Sequence, residues 1–298
     1  MSFAGTAYWF DQNANRHQFY DRLLDLLVAD PSAASNNLFH DVASLNVYRT
    51  ADDVLRVSRV LKAIQRAHGI DKPLWLTETN AMPTDDRSIA PCDHGGDLIK
   101  TTMEQQAAFG IQAFAMAAVA GFQRVGFYAM TDEGPCNQPA VWGAVRDDGS
   151  RRPVADALRT IIRGITGYTR ARFAPLLRSE ARWGVWPEDP LSYWPNWGIY
   201  LMAFDLPGAR RVSVVWNADP MPTCARFARN GNAAHVLDKH GTASPASLQG
   251  DTWTVTLAPA TAHFADDPDG YYFIGGDPLL LVEEGVNPSA PVVAPQAC

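Results

Sequence analysis

The chain is poor in cysteine, with four cysteines among its 298 residues. Four are too few for a small scaffold held together by disulfides, and a hydrophobic content of 47% supplies a core without them. Cys92 and Cys136 follow two successive strands of the pattern described below, so a disulfide between them is one option. Two free thiols are the default expectation.

Long apolar runs and an excess of basic residues are also absent. The apolar segment Ala107–Ala120 is too short to cross a bilayer and contains Gln112, so no membrane span is predicted. The first residues have neither a basic nor an apolar region, so no signal peptide is visible, and the sequence leaves the cellular location open. A net charge of −7 argues against nucleic acid or an anionic membrane as the main partner.

Motifs for nucleotide binding and for serine hydrolysis are missing as well. The chain contains no Gly-x-Gly-x-x-Gly, no Walker motif and no Gly-x-Ser-x-Gly. The run Cys92-Asp93-His94 has no second pair of His or Cys residues at ligand spacing, so no zinc site is expected. We therefore predict neither a cofactor nor a metal.

The first 166 residues repeat one pattern four times: an apolar strand, a polar loop and an amphipathic helix. The predicted strands are Phe3–Trp9, Asp41–Tyr48, Leu74–Thr79 and Arg124–Met130. The predicted helices lie near His17–Ala29, Ala51–His68, Ile99–Ala120 and Pro153–Ile165. This alternation predicts parallel strands joined by right-handed crossovers.

After about residue 170 the pattern changes to short β-rich runs separated by turn residues, which predicts an antiparallel β-sandwich. The last residues are rich in Pro, Ala and Val, which is typical of a loose terminus. We therefore expect an α/β part at 1–168, a sandwich at 169–286 and a flexible tail at 287–298.

One acidic residue stands out from this pattern. The apolar strand at residues 73–80 reads Pro-Leu-Trp-Leu-Thr-Glu-Thr-Asn and carries a single acid, Glu78, near its carboxyl end. Barrels of alternating strands and helices keep their catalytic groups at that end of the strands. Glu78 is therefore the first candidate for a catalytic residue.

Several short motifs follow one another in an order that resembles a known protein family. Leu45-Asn46-Val47-Tyr48 comes first, then Trp75-Leu76-Thr77-Glu78-Thr79-Asn80, Phe127-Tyr128-Ala129-Met130-Thr131-Asp132, Trp142-Gly143 and Asp148-Gly149-Ser150-Arg151-Arg152-Pro153. This order resembles the C-terminal half of a clan A glycoside hydrolase of the family 39 or family 5 type. The resemblance implies a partial (β/α)8 (TIM) barrel, its last four β/α units, followed by the sandwich.

The resemblance also implies roles for individual residues in retaining hydrolysis of O-glycosidic bonds. Glu78 matches the nucleophile, whereas nothing matches the Asn-Glu pair that carries the acid/base in that clan. Asp132 is the best substitute for this second carboxylate, ahead of Asp11 and Glu133. The expected substrate-binding residues are Asn46, where the clan often has His, and the aromatic residues Tyr48, Tyr128, Trp142 and Trp9.

A sheet of four barrel strands would leave its inner face and two edges uncovered. Three explanations stay open: a truncated gene product, a separate chain that supplies the other half of the barrel, or a homodimer that closes one barrel. The leading hypothesis is an incomplete glycoside hydrolase acting on a carbohydrate. The alternatives are a non-catalytic carbohydrate-binding or scaffold protein, and a fragment without independent activity.

Overall fold

The computed structural model describes residues 8–48, 50–86, 88, 100–132, 141–177, 198–263 and 272–298. Within them, helices and a small parallel sheet occupy the first part of the chain, and antiparallel sheets occupy the second. The predicted combination of a parallel sheet with antiparallel sheets is therefore confirmed.

From Ala43 to Ile165 the α/β part alternates strands and helices as predicted. Its helices are α1 (Tyr8–Asn13), α2 (Phe19–Ala29), α3 (Ala51–Ala67), α4 (Met103–Val119) and α5 (Pro153–Ile165), with a 3₁₀ segment at Ala34–Phe39. Its strands are β1 (Ala43–Asn46), β2 (Leu74–Thr79), β3 (Met82–Pro83), β4 (Lys100–Thr101) and β5 (Arg124–Phe127).

Local chemistry explains where these helices begin and end. The Thr50 side chain accepts a hydrogen bond from the backbone N–H of Asp53 at the start of α3. Thr102 and Gln105 form a reciprocal capping box, which is why α4 begins at Met103, later than the predicted Ile99. Pro153 occupies the first turn of α5, where a missing N–H costs nothing.

Three parallel strands form a sheet in the order β1-β2-β5. Its helix-covered face is apolar, and Leu45 and Leu76 are fully buried there. On the opposite face Thr77 is exposed. Gly126 allows β5 to approach β2, because a Cβ at this position would lie 2.4 Å from the carbonyl oxygen of Thr77.

The first predicted strand needs a correction. Residues 3–7 lie outside the described residues, but Tyr8 begins α1, so a strand that reaches Trp9 is wrong. Tyr8 is 5% exposed, and its ring lies 5.9 Å from the guanidinium of Arg56 on α3. The Asp11 carboxylate accepts a hydrogen bond from the backbone N–H of Phe19 at the start of α2, at 2.6 Å. These contacts attach the segment to the helices.

The second part contains two larger antiparallel sheets. Their strands are β6 (Arg170–Phe173), β7 (Leu176–Leu177), β8 (Gly198–Leu206), β9 (Arg210–Asn217), β10 (Thr223–Ala228), β11 (Ala233–Leu237), β12 (Ala243–Pro245), β13 (Ser247–Gln249), β14 (Thr252–Leu257), β17 (Leu279–Glu284) and β18 (Gln296–Ala297). The seven-stranded sheet has the order β12-β11-β17-β9-β8-β6, with β7 also paired to β8, and the four-stranded sheet has the order β13-β14-β10-β18. Strands β15 (Ala262–His263) and β16 (Tyr272–Ile274) form a separate pair.

Two hydrophobic clusters join these layers. One contains Phe109 of α4 together with Phe204 of β8, so the helices pack against the seven-stranded sheet. The other contains Leu201 of β8 together with Trp253 of β14, so the two larger antiparallel sheets pack face to face.

The described part of the chain contains no helix of the length and apolarity that a bilayer crossing requires. The division between parts at residue 168 stays a prediction.

The flexible tail expected at 287–298 stays a prediction, and its last residues make two contacts with the sheets. Strand β18 pairs with β10, and a disulfide joins Cys298 to Cys224. This pairing was not predicted from the sequence, in which 74 residues separate the two cysteines. Cys92 and Cys136, for which a disulfide or two free thiols were expected, lie outside the described residues.

Candidate functional site

The carboxyl ends of β1, β2 and β5 bring four of the predicted site residues to one rim of the parallel sheet. Asn46 is the register partner of Glu78, and the backbone N–H of Val47 donates to the carbonyl oxygen of Glu78 at 2.9 Å. The backbone N–H of Tyr128 donates to the carbonyl oxygen of Thr79 at 3.2 Å. Strand register therefore places Asn46, Tyr48, Glu78 and Tyr128 on neighbouring strand ends.

The Glu78 carboxylate is half-buried, and Tyr48 holds it. The Tyr48 hydroxyl donates to Oε2 of Glu78 at 2.5 Å. Within the described residues, Glu78 forms no ion pair. A hydroxyl donor orients a carboxylate and stabilises its negative charge without cancelling it, which leaves Glu78 able to act as a nucleophile.

Three aromatic rings surround this hydrogen bond. The ring of Tyr48 lies 5.5 Å from that of Trp142 and 6.3 Å from that of Tyr128, and Tyr128 and Trp142 are 6.4 Å apart. All three contacts are edge-to-face, and each ring is half-buried. The cluster provides apolar ring surface beside a carboxylate. The side chain of Trp9, the remaining aromatic residue expected to bind substrate, lies outside the described part of the structure.

Asn80 and Gln106 position this aromatic cluster, and the sequence analysis missed both. The fully buried Asn80 side chain donates to the backbone carbonyls of Tyr128 and Trp142, the latter at 2.7 Å. Gln106 of α4 donates to Asn80 Oδ1 at 3.2 Å. Asn80 follows Glu78 by two residues, and that adjacency is the only signal that the sequence offered.

Asn46 lies beside Glu78 but is engaged on one side only. Its Oδ1 accepts a hydrogen bond from the Thr77 hydroxyl at 2.7 Å. The amide nitrogen of Asn46 has no partner among the described residues. Because Asn46 is the register partner of Glu78, this nitrogen is a donor beside Glu78 that a hydroxyl group of a bound ligand could use.

Asp132 lies in a buried network of four charged side chains. Arg152, which is fully buried, donates to both carboxylate oxygens of Asp132 at 2.8 and 2.7 Å, and to Asp86 at 2.8 Å. Arg146 also donates to Asp86, at 2.6 Å. Burial alone would raise the pKa of Asp86, but the hydrogen bonds from Arg146, Ser88 and Arg152 outweigh it and hold the pKa well below its usual value.

This network fixes the loop that carries Trp142. The backbone N–H of Gly143 donates to Oδ1 of Asp132 at 2.8 Å, and Arg152 also donates to the carbonyl of Gly143. A Cβ at position 143 would lie 2.5 Å from the backbone nitrogen of Asp132, so only glycine fits. Both oxygens of Asp132 are thus engaged in a structural contact, which favours a positioning role over proton transfer.

The sequence also suggested Asp11 and Glu133 as candidates for the second carboxylate. Asp11 is 4% exposed and pairs with Arg16 and Arg22 beside the start of α2. Glu133 lies outside the described residues. Across the described ranges, no group of three or more His, Cys, Asp or Glu side chains is arranged to hold a metal.

No family model matches this sequence, and no curated protein matches it. Among solved structures, a family 39 glycoside hydrolase from the gut symbiont Bacteroides cellulosilyticus WH2 superimposes with a TM-score of 0.57 at 15% identity. The superposition covers 90% of this chain and 47% of that structure.

The chain has a glycoside hydrolase-like fold. An endo-β-1,6-glucanase (TM-score 0.38, 13% identity, 85% of this chain and 43% of that one) is more distant. So is the GH30 xylanase C catalytic domain from Talaromyces cellulolyticus (TM-score 0.36, 11% identity, 89% of this chain and 67% of that one). The chain spans less than half the length of the family 39 structure, so this likeness concerns a glycoside hydrolase-like fold and leaves the activity to the site.

Proposed function

We propose that this chain contributes the nucleophile side of a retaining glycoside hydrolase, with Glu78 as the nucleophile and a carbohydrate as the substrate. The observation that carries the proposal is the Glu78 carboxylate at the carboxyl rim of the parallel sheet, held by the Tyr48 hydroxyl at 2.5 Å. Retaining glycosidases use such a carboxylate to form a covalent glycosyl-enzyme intermediate.

The surroundings of Glu78 favour a sugar as the reacting ligand. Tyr48, Tyr128 and Trp142 supply ring surface for the apolar face of a sugar. The amide nitrogen of Asn46, which has no partner among the described residues, can donate to a sugar hydroxyl. The Asn80 contacts and the Arg152 network hold the backbone of the aromatic residues. A rigid second layer of this kind is what a preorganised binding site requires.

We further propose that the three-stranded sheet is part of a (β/α)8 barrel and that the acid/base comes from a barrel segment outside the described residues. On the sheet face opposite the helices, Thr77 is exposed and Arg124 covers Trp75 at 4.6 Å from its ring centroid. Further barrel strands would cover this face. A retaining enzyme needs a second carboxyl group roughly 5 Å from the nucleophile, and the contacts of Asp132 oppose its use for that purpose.

The source of the remaining barrel strands is also a proposal. A complementing half-barrel chain or a second copy of this chain could supply parallel strands to β1 and β5, each of which has one edge without a paired strand among the described residues. We favour the complementing half-barrel chain over the second copy. Two copies of the same half would present two nucleophiles and leave the acid/base position unfilled.

Kinetics on 2,4-dinitrophenyl glycosides test the nucleophile separately from the acid/base. Dinitrophenolate is a good leaving group and departs without a proton donor, so a site with a nucleophile alone should release it. We expect slow turnover by the wild-type chain that Glu78→Gln abolishes, and little or no turnover of unactivated glycosides.

The matched control is Asp251→Asn, which removes one exposed carboxylate from a turn before β14 and should leave turnover unchanged. Turnover that survives Glu78→Gln would exclude the nucleophile role. Sugar binding without any turnover, retained in Glu78→Ala, would favour the non-catalytic carbohydrate-binding alternative. Efficient hydrolysis of unactivated glycosides by the chain alone would show that the chain already contains an acid/base, which would contradict this part of the proposal.

A further inference from the structure

A cavity of about 320 Å³ lies between α5 and the seven-stranded sheet. Its wall on the helix side includes Arg159 and Arg163 of α5. Its wall on the sheet side includes Arg210 of β9, His235 of β11 and Glu284 of β17. None of these residues belongs to the site around Glu78.

The charges in this cavity do not cancel. Arg159 pairs with Asp156 at 2.7 Å, which neutralises both. Arg163 and Arg210 form no ion pair within the described residues, although Glu284 is the register partner of Arg210. The cavity therefore holds two unpaired guanidinium groups against one carboxylate, in a chain whose net charge is −7. Unpaired like charges raise the local positive potential, which an anion would lower.

Arg210 is half-buried in the wall of this cavity. Its Nε atom is shielded from solvent and has no hydrogen-bond partner among the described residues, so an anion in the cavity would bind the terminal nitrogens of the guanidinium group. A guanidinium group presents its N–H donors in a planar fork, which matches the oxygens of phosphate, sulfate and carboxylate groups.

We propose that this cavity binds a small oxyanion: a phosphate, sulfate or carboxylate group, either free or carried on a sugar. The volume lies at the lower end of ligand cavities, which run from roughly 300 to 1,000 Å³. It therefore suits an ion or a single sugar unit. Arg163 and Arg210 supply the donors, and the proposal does not depend on the function of Glu78.

Isothermal titration calorimetry on the full chain tests this site with four probes at constant ionic strength: inorganic phosphate, inorganic sulfate, glucuronate and glucose. We expect saturable binding of at least one of the three anions and no binding of glucose. Arg163→Gln and Arg210→Gln should each weaken that binding about tenfold or more, the usual effect of removing a charge-assisted hydrogen bond. Arg170→Gln removes an exposed arginine from outside the cavity and should leave the affinity unchanged.

The pattern among the probes identifies the source of the oxyanion. Binding of glucuronate alone assigns a carboxylate carried on a sugar, and binding of phosphate or sulfate alone assigns a free ion. Absence of saturable binding by all three anions overturns the proposal, as does binding that both cavity variants retain. Arg163 is exposed, so Arg163→Gln tests the site even where Arg210→Gln fails to fold.

Discussion

Asp52 offers a stability test of the contact between the helices and the seven-stranded sheet. The Tyr200 hydroxyl of β8 donates to Oδ2 of Asp52 in the first turn of α3 at 3.0 Å. Burial is the main cause that raises the pKa of Asp52 from 3.8 to about 7, and the nearby Asp53 raises it further. Hydrogen bonding from Tyr200 and the charge of Arg56 act in the opposite direction.

The sign of the pH dependence follows from this raised pKa. Below pH 3.8 the carboxyl group is protonated in both the folded and the unfolded chain. Between pH 3.8 and about 7 only the folded chain keeps the proton, so the free energy of unfolding falls as the pH rises. Above about pH 7 the folded chain carries a partly buried carboxylate, and the loss is complete.

The full difference between the two pKa values corresponds to about 4 kcal/mol. We expect about 2 kcal/mol, because the side chain is partly exposed and the start of α3 favours a negative charge. Asp52→Asn keeps the acceptor for Tyr200 and removes the titration. Urea unfolding should therefore show the variant and the wild type equally stable near pH 4, and the variant more stable by about 2 kcal/mol near pH 8.

Asp251→Asn serves as the control, because it removes an exposed carboxylate from the turn before β14 and leaves Asp52 in place. A stability difference for Asp52→Asn that stays constant with pH, or that shrinks as the pH rises, would refute the reasoning.

Three further predictions concern other contacts. Asp132→Asn should lower the free energy of unfolding by about 3 kcal/mol in urea titrations, because it leaves the buried Arg152 with one carboxylate partner fewer; an unchanged stability together with lost turnover would instead make Asp132 catalytic. Reducing the Cys224–Cys298 disulfide should lower stability by up to about 4 kcal/mol for a closed loop of this length, and Cys224→Ser should reproduce the effect and be insensitive to reductant. Tyr48→Phe should lower kcat on dinitrophenyl glycosides about tenfold or more with little change in KM, because the hydroxyl orients the Glu78 carboxylate; a change in KM alone would contradict that role.

Local signals were enough to predict several elements residue by residue. The observed β2, Leu74–Thr79, and α5, Pro153–Ile165, have the predicted bounds. A short apolar strand ending in polar residues and a helix that begins with proline are both recognisable without tertiary information. Gly167, which follows α5 with a φ of +79°, was also readable as a helix-ending residue.

Contacts between distant residues were not predictable in the same way. The hydrogen bond from Asn80 to the Trp142 carbonyl spans 62 residues, and the ion pair of Arg152 with Asp86 spans 66. Such contacts depend on which strand ends become neighbours. For the same reason the sequence selected Asp132 as a possible acid/base, whereas its buried contact with Arg152 became visible only in the folded chain.

The central claim is that Glu78 is a nucleophile, and covalent trapping tests it most directly. A 2-deoxy-2-fluoro glycoside with a dinitrophenyl leaving group forms a long-lived glycosyl ester with the nucleophile of a retaining enzyme. We predict that peptide mass spectrometry will find one fluoroglycosyl group on Glu78 and none in Glu78→Gln. A label on another carboxylate, or no label with any of the common sugars while the chain stays folded, would contradict the account.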